Sequence, residues 1–426
     1  MQGLVYRLSL PRVAVARLLG GRVPWLLYGP LGPVRLETLP DPQLPGDDWA
    51  VVRPVLAGVC GTDLGVISAR TSPAASPFSS FPAVLGHEVV GRIERAGPGV
   101  SLPPGTRVVV DPSLSCEIRG YEPACDRCAE GWPYLCANAA EGRFGPALIT
   151  GYCAALPGGW GERMLAHRSQ LFTVPDEVAD ERAVLVEPLA IGLHAVLRRR
   201  PGDGDRVLVI GAGTIGLCLL AALRMLGLRA HVTVAAKHGV QADLARALGA
   251  DHVVPPSRLA DDARQRLGAR GYKPILGRTV YRGGYDVVYD CVGSRRSLDD
   301  ALRLAREGGA VVVVGGAGEI PWLDWTFVWM RELDVIGAAG YGLEHVNGRV
   351  KHTFALVLEG LAAHPDLPVE RMVTHRFALA QYRQALAAAL DRRRSGAVKI
   401  VFAPQAGSSG DAGAAAGGSP PGTGGA

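Results

Sequence analysis

The sequence predicts a two-domain α/β protein, in which a β-rich first part precedes a doubly wound parallel sheet flanked by helices. Its 426 residues exceed what one hydrophobic core usually serves. Residues 1 to about 190 are dense in Gly, Pro and short β-branched runs such as Arg107-Val108-Val109-Val110, which read as strands joined by irregular loops. From about 200 to 340, apolar runs alternate with helical periodicity, as in a sheet whose parallel strands are connected by helices. A hydrophobic fraction of 48% against 20% charged residues supplies core material for both parts and excludes bulk disorder.

Taken along the chain, residues 3–6 read as an edge strand and 13–19 as a short helix. Arg7, Arg12, Arg17, Arg22 and Arg35 precede the first acid, Glu37, a texture shared with transit peptides. No apolar signal-peptide core is present, so a reducing cytoplasm is favoured. Strands are expected at 207–210, 232–235, 287–291 and 311–314, with helices at 215–226 and 241–248. Segment 257–284 interrupts this alternation and reads as either a lid or a surface insertion. A helix at 382–390 and a strand at 397–402 then return to the first domain. The expected organisation is therefore a catalytic domain from 1–190 completed by 341–403, a nucleotide-binding domain from 191–340, and a disordered Ala/Gly/Ser/Pro tail from 404–426.

A net charge of +5, without a basic run interleaved with aromatics, argues against nucleic acid as a partner. The longest uncharged apolar stretch, 207–223, falls short of a membrane span, and no membrane association is expected.

That stretch contains the strongest local signal. Gly211-Ala212-Gly213-Thr214-Ile215-Gly216 places G-x-G-x-x-G between an expected strand and an expected helix. There the first glycine permits a tight turn, the second close backbone approach to a pyrophosphate, and the third close helix–strand packing. The next strand ends in Ala235-Ala236-Lys237-His238, where an acid would normally meet the adenosine ribose. With a lysine and no carboxylate, the segment favours NADP(H) over NAD(H), unless Lys237 is merely solvated.

Eight cysteines divide into a cluster, Cys116, Cys125, Cys128 and Cys136, and four singles. The cluster has the composition of a closed four-thiolate zinc site that rigidifies a loop. Separately, Gly58-Val59-Cys60-Gly61-Thr62-Asp63 and Gly86-His87-Glu88 each set a possible ligand among glycines. With Glu187 they could form a three-ligand zinc site with one open position, as catalysis requires. Glu187 could equally be a helix N-terminal carboxylate favoured by the dipole, and His194 a packed residue on the same helix. Cys153, near Trp160, could line a pocket.

Together these segments resemble the medium-chain dehydrogenase/reductase superfamily, close to its sorbitol and threonine dehydrogenase branch, over about residues 1 to 403. The resemblance implies a GroES-like β-rich catalytic domain and a Rossmann nucleotide-binding domain, with zinc and nicotinamide meeting between them. It implies hydride transfer between a small alcohol or polyol, or its carbonyl form, and a nicotinamide dinucleotide, in a homodimer or homotetramer. By motif, Cys60, His87 and a glutamate would hold catalytic zinc, with Glu187 the first choice and Glu88 the second. Thr62 would relay the proton and Asp63 would orient His87. Cys116 fits the structural site least well, because six extra residues, 118–123, separate it from Cys125. A zinc-independent quinone or enone reductase of the same fold, or a non-catalytic NADP(H)-binding sensor, remain the competing expectations.

Overall fold

The computed structural model describes residues 1–405 apart from 317; the expected low-complexity tail lies, from 406 onward, outside the described residues. Two main sheets organise the chain. The first follows the order Val373–Phe377, Lys399–Phe402, Trp49–Gly58, Val89–Ala96, Arg107–Val110, Leu171–Thr173, with Met164–His167 also paired to Trp49–Gly58. Its central pairs are antiparallel, and alternate residues of Trp49–Gly58 and Val89–Ala96 face cores on both sides of the sheet.

The second sheet has six parallel strands in the order His252–Val254, His231–Ala235, Arg206–Ile210, Tyr285–Asp290, Ala305–Val313, Asp334–Gly337. Numbered along the chain this is 3-2-1-4-5-6, the doubly wound arrangement whose crevice at the carboxyl ends of the strands binds dinucleotides. Stretch 207–223, read above against a membrane span, is divided between the strand Arg206–Ile210 and the helix Thr214–Met225. Among the described residues no helix is long and apolar enough to cross a membrane.

One core joins the two sheets. Leu56, Val90 and Val109 of the first belong to the same buried cluster as Val207, Val209 and Leu217 of the second. Helix Val186–Arg198 carries ten buried residues and packs along Thr214–Met225, running without a break through residue 190. The last strand, Lys399–Phe402, pairs with Trp49–Gly58, so the chain ends by re-entering the first sheet.

One local expectation is corrected, and the segment that interrupts the alternation acquires a definite structure. The first strand, Gln2–Tyr6, is not at an edge: Val34–Thr38 and Ala83–Val84 flank it on either side. Segment 257–284 is ordered, containing the helix Leu259–Leu267 and a hairpin of Arg270–Tyr272 with Val280–Arg282. Arg278 pairs with Asp299 and Asp300, and Arg303 donates to the Thr279 carbonyl, fastening the hairpin to helix Arg295–Leu304.

Candidate active site

The glycine turn has the geometry its spacing implies. Gly211 has φ +101, accessible to glycine at little cost, and a Cβ on Gly216 would stand 1.8 Å from the Gly211 carbonyl oxygen. The turn ends at the N-terminus of Thr214–Met225, whose leading N–H groups and dipole favour an anion. On the neighbouring strand, Ala236 is buried, Lys237 is exposed and His238 precedes the helix Gly239–Ala247. Alanines, not a carboxylate, therefore end this strand.

At the end of strand Trp49–Gly58, Cys60 caps the short helix Gly61–Ile67. The Thr62 N–H donates to Cys60 Sγ at 3.5 Å while the Asp63 carboxylate accepts from the Cys60 N–H at 2.9 Å. This reciprocal cap fixes the direction of the sulfur. Ligand atoms of Cys60, His87 and Glu88 all lie within 4.8 Å of one another. Donors about 2.0–2.3 Å from a tetrahedral ion would be roughly 3.3–3.8 Å apart, so modest side-chain adjustment lets the three share one metal. Thr62 Oγ1 is exposed and 3.6 Å from Cys60 Sγ.

Asp63 is fully buried. Its Oδ1 accepts the Tyr152 hydroxyl at 2.6 Å and stands 3.5 Å from His87 Nδ1, a separation of ion-pair range that leaves Nδ1 without a hydrogen bond. Burial pulls the imidazole's pKa down, but Asp63 and Cys60 outweigh it and hold His87 well above its ordinary value. A buried imidazole flanked by a thiol and two carboxylates is an electron-rich pocket suited to a cation.

The two glutamates have different environments. Glu88 is bound by Lys399 Nζ, 2.6 Å from Oε1 and in contact with Oε2 as well, both side chains being about 1% exposed. A Cβ on Gly58 would meet Glu88 Oε2 at 1.8 Å, so the first glycine of the cysteine motif makes room for this carboxylate. Glu187, the first choice by motif, is not in the group of mutually close donors found among the described residues. It is buried on helix Val186–Arg198 and accepts the Tyr341 hydroxyl at 3.0 Å. Burial, reinforced by Glu88 and opposed by His87, raises its pKa to about 7.

Sulfurs of Cys116, Cys125, Cys128 and Cys136 likewise lie within 4.8 Å of one another. Cys116, the least expected member, is firmly engaged: its Sγ accepts from Cys125 N and Asn138 Nδ2, each at 3.3 Å, and lies 3.6 Å from Cys136 Sγ. Of the residues inserted before Cys125, 118 and 119 belong to a turn of helix, Cys116–Arg119, that ends at Gly120 in the left-handed conformation. The buried Arg119 guanidinium donates to the carbonyls of Leu114, Glu141, Gly145 and Ala147 and ties the loop together. Four such thiols cannot all ionise without a cation. Cys125 is drawn down to about 6, burial being outweighed by N–H groups of Cys128 and Ala137, whereas burial and neighbouring sulfur push Cys136 up to about 11. A divalent metal would relieve that conflict.

Comparison with known proteins matches this arrangement. The alcohol dehydrogenase GroES-like domain profile matches residues 46–176, and the zinc-binding dehydrogenase profile matches 214–359. Sorbitol dehydrogenase of Arabidopsis thaliana is 31% identical over 82% of this chain and 87% of its own length. The chain belongs to the zinc-binding medium-chain dehydrogenase family. L-idonate 5-dehydrogenase of Vitis vinifera is similar to the same extent, 31% over 82% of this chain and 87% of its own. A solved zinc-binding dehydrogenase of Sinorhizobium meliloti 1021, bound to NADP, superposes with a TM-score of 0.66 at 27% identity, over 87% of this chain and 95% of that one.

Within this dehydrogenase, three residues at the site had gone unnoticed in the sequence: Lys399, Tyr152 and Tyr341. Lys399 carried a signal, a single cation in the otherwise apolar run Ala397-Val398-Lys399-Ile400-Val401-Phe402. The tyrosines carried none, because their partners Asp63 and Glu187 lie 89 and 154 residues away. His194, expected only to pack, is bonded through Nδ1 to Glu344 Oε1 at 2.7 Å, lies against Trp132, and is a member of neither donor group found among the described residues. Cys153 is buried, its thiol directed to the Phe144 carbonyl at 3.4 Å.

Proposed function

We propose that this dehydrogenase interconverts a small secondary alcohol or polyol and its carbonyl compound, with NADP(H) as the preferred hydride partner. The observation that carries the reading is the convergence of Cys60, His87 and Glu88 within 4.8 Å. Zinc held there would compensate the negative charge that an alcohol oxygen must carry before hydride departs to the nicotinamide.

Of the two glutamates that the motifs offered, with Glu187 first and Glu88 second, the proximity of Glu88 to Cys60 and His87 supports Glu88. Glu88 is the third ligand, held in position by Lys399, and Glu187 faces the site as the second carboxyl. With a pKa near 7, Glu187 can take up or return a proton at its carboxyl oxygen. Thr62 Oγ1, at the exposed lip beside Cys60, passes a proton between the substrate hydroxyl and solvent. Asp63, anchored by Tyr152, holds His87 through charge. Cys116, Cys125, Cys128 and Cys136 bind a second zinc that stiffens their loop and takes no part in the chemistry. The preference for NADP(H) is supported by the exposed Lys237, His238 and the absence of a carboxylate after Ala235; the Sinorhizobium meliloti relative bound to NADP is consistent with it. A cytoplasmic homodimer or homotetramer is the form the family resemblance supports.

The test is metal analysis followed by turnover of secondary alcohols and polyols with NADP+ and NAD+. Cys60→Ser and His87→Ala should abolish turnover and lower zinc by one ion per chain, and Glu88→Gln should cost more zinc than Glu187→Gln. Turnover that survives Cys60→Ser and chelation would overturn the zinc-dependent reading.

A further inference from the structure

Strands Gln2–Tyr6 and Val34–Thr38 are antiparallel neighbours with Tyr6 opposite Val34, a pairing that a turn of a few residues could close. Residues 7–33 stand there instead and form the helices Leu10–Leu19 and Trp25–Tyr28. Ala16 and Leu27 are buried in a core of the first domain and fix the segment to it. Much of its remaining apolar surface faces outward. Leu10 and Leu18 are 78% and 75% exposed, and at about 3.6 residues per turn they share one stripe with Ala14, beside which Val15 and Leu19 are exposed as well. A surface helix ordinarily turns such a stripe to the core and its polar face to water. Here the apolar stripe is the outer one, and the exposed Trp25 adds an indole to the same segment.

The charge of this segment has one sign. From residue 10 to 31 the only polar side chains are Arg12, Arg17, Arg22 and Tyr28, and no acid precedes Glu37. The helical repeat sets Arg12 and Arg17 on opposite margins of the stripe. Arg17 makes one exposed ion pair, 3.6 Å from Glu319, of a kind that salt screens. Among the described residues, the side chains of Arg12 and Arg22 have no hydrogen bond or ion pair. Neither has that of Arg70, whose Nη2 lies 3.5 Å from the position a Cβ would take on Gly21.

We propose that helix Leu10–Leu19 docks the enzyme on an anionic lipid bilayer, with its leucines at the acyl boundary and Arg12, Arg22 and Arg70 among the phosphate headgroups. Unmatched guanidiniums beside exposed leucines complement a surface that is negative outside and apolar just beneath. A protein partner of fixed shape would be met by directional hydrogen bonds, and this face carries no carboxylate, amide or aliphatic hydroxyl to make them. The helix has ten residues, about 15 Å at about 1.5 Å per residue, so it lies in an interface without crossing it. Absence of a span, on which the sequence-based expectation of no membrane association rested, leaves this surface mode open.

Flotation of the full zinc-loaded chain with vesicles tests the docking. Wild type should bind vesicles of equimolar phosphatidylcholine and phosphatidylglycerol, bind phosphatidylcholine alone far more weakly, and be released from the anionic vesicles by high salt. Leu10→Ser/Leu18→Ser should lower partitioning by at least about tenfold, and Arg12→Gln/Arg22→Gln by roughly fivefold for each arginine removed. Ile275→Ser, at the exposed tip of the hairpin in the nucleotide-binding domain, should match wild type. Turnover without lipid should be unchanged in all three variants, because none of these residues belongs to the zinc or nucleotide sites. Failure of wild type to bind the anionic vesicles, equal binding to both vesicle types, or wild-type partitioning of the leucine variant overturns the proposal. So does a smaller assembly of the leucine variant in size-exclusion chromatography without loss of lipid binding, which would assign the face to a second copy of this chain. Each of these results leaves the dehydrogenase reading standing.

Discussion

Replacing Lys399 by methionine removes the cation from a pair sealed inside the first domain. Lys399 Nζ stands 2.6 Å from Glu88 Oε1 and both side chains are about 1% exposed, so in metal-stripped protein the orphaned carboxylate would have neither solvent nor a second cation. Breaking a buried pair from one side costs about 3–5 kcal/mol, most of it the penalty of leaving the other charge unmatched. Glu88→Gln should cost a similar amount by stranding the ammonium, whose remaining contact is a 3.4 Å approach to the Val59 carbonyl. The double variant Glu88→Gln/Lys399→Met strands neither charge and should recover at least half of the summed loss. Urea unfolding of all four proteins after removal of metal, followed by far-ultraviolet circular dichroism and intrinsic fluorescence, closes the double-mutant cycle. Losses that simply add, or single variants within about 1 kcal/mol of wild type, would show that the pair is not energetically coupled and refute the reasoning.

Gly58→Ala should drive its new methyl into the space of Glu88 Oε2, 1.8 Å away, and release the ion proposed at Cys60, His87 and Glu88. Elemental analysis should then find about one zinc per chain where wild type holds about two; an unchanged count speaks against this placement. Tyr152→Phe deletes the 2.6 Å bond to Asp63 and leaves its buried Oδ1 without a hydrogen bond, which should cost about 1–3 kcal/mol. An unaltered denaturation midpoint would show that another donor replaces the hydroxyl. Asp286 is also buried. Desolvation raises its carboxyl, but the side chain and N–H of Arg206 and the side chain of Arg306 outweigh this and hold the pKa down to about 2. Because the folded chain holds this carboxylate's proton less tightly, the stabilisation is complete above its ordinary pKa and lost as pH falls through about 2. Asp286→Asn should therefore cost roughly 1–2 kcal/mol near neutral pH, after allowance for solvent screening. The gap between variant and wild type should begin to narrow below about pH 4 and close near pH 2, and a gap independent of pH would exclude this account.

Elements with strong local signals matched their expected positions closely. Helix 382–390 coincides with Tyr382–Leu390, and the strand expected at 207–210 begins one residue earlier, at Arg206. Strand 311–314 was recognised only in its apolar half, because Ala305–Val313 enters through Arg306-Glu307-Gly308-Gly309, a polar stretch without strand periodicity. Segment 257–284 showed neither its helix nor its hairpin clearly. Arg270–Tyr272 is exposed throughout and is held by pairing and by the ion pairs of Arg278, not by burial of its own side chains. The first strand was misplaced at an edge because its neighbour Ala83–Val84 is two residues long and about 80 residues away.

The sequence by itself determined whatever depends on short-range covalent geometry. The glycine turn and the Cys60 cap with Thr62 and Asp63 are built from residues a few positions apart, and the four cysteines fall within one short loop region, where spacing limits which atoms can converge. Only the tertiary structure shows that a carboxylate oxygen of Glu88 lies within 4.8 Å of the Cys60 and His87 donor atoms, and that Lys399 neutralises Glu88 from 311 residues away. Those outcomes depend on how buried charges from remote segments are packed and compensated, and the cost of an unmatched charge in a dry interior is set by all of its neighbours at once.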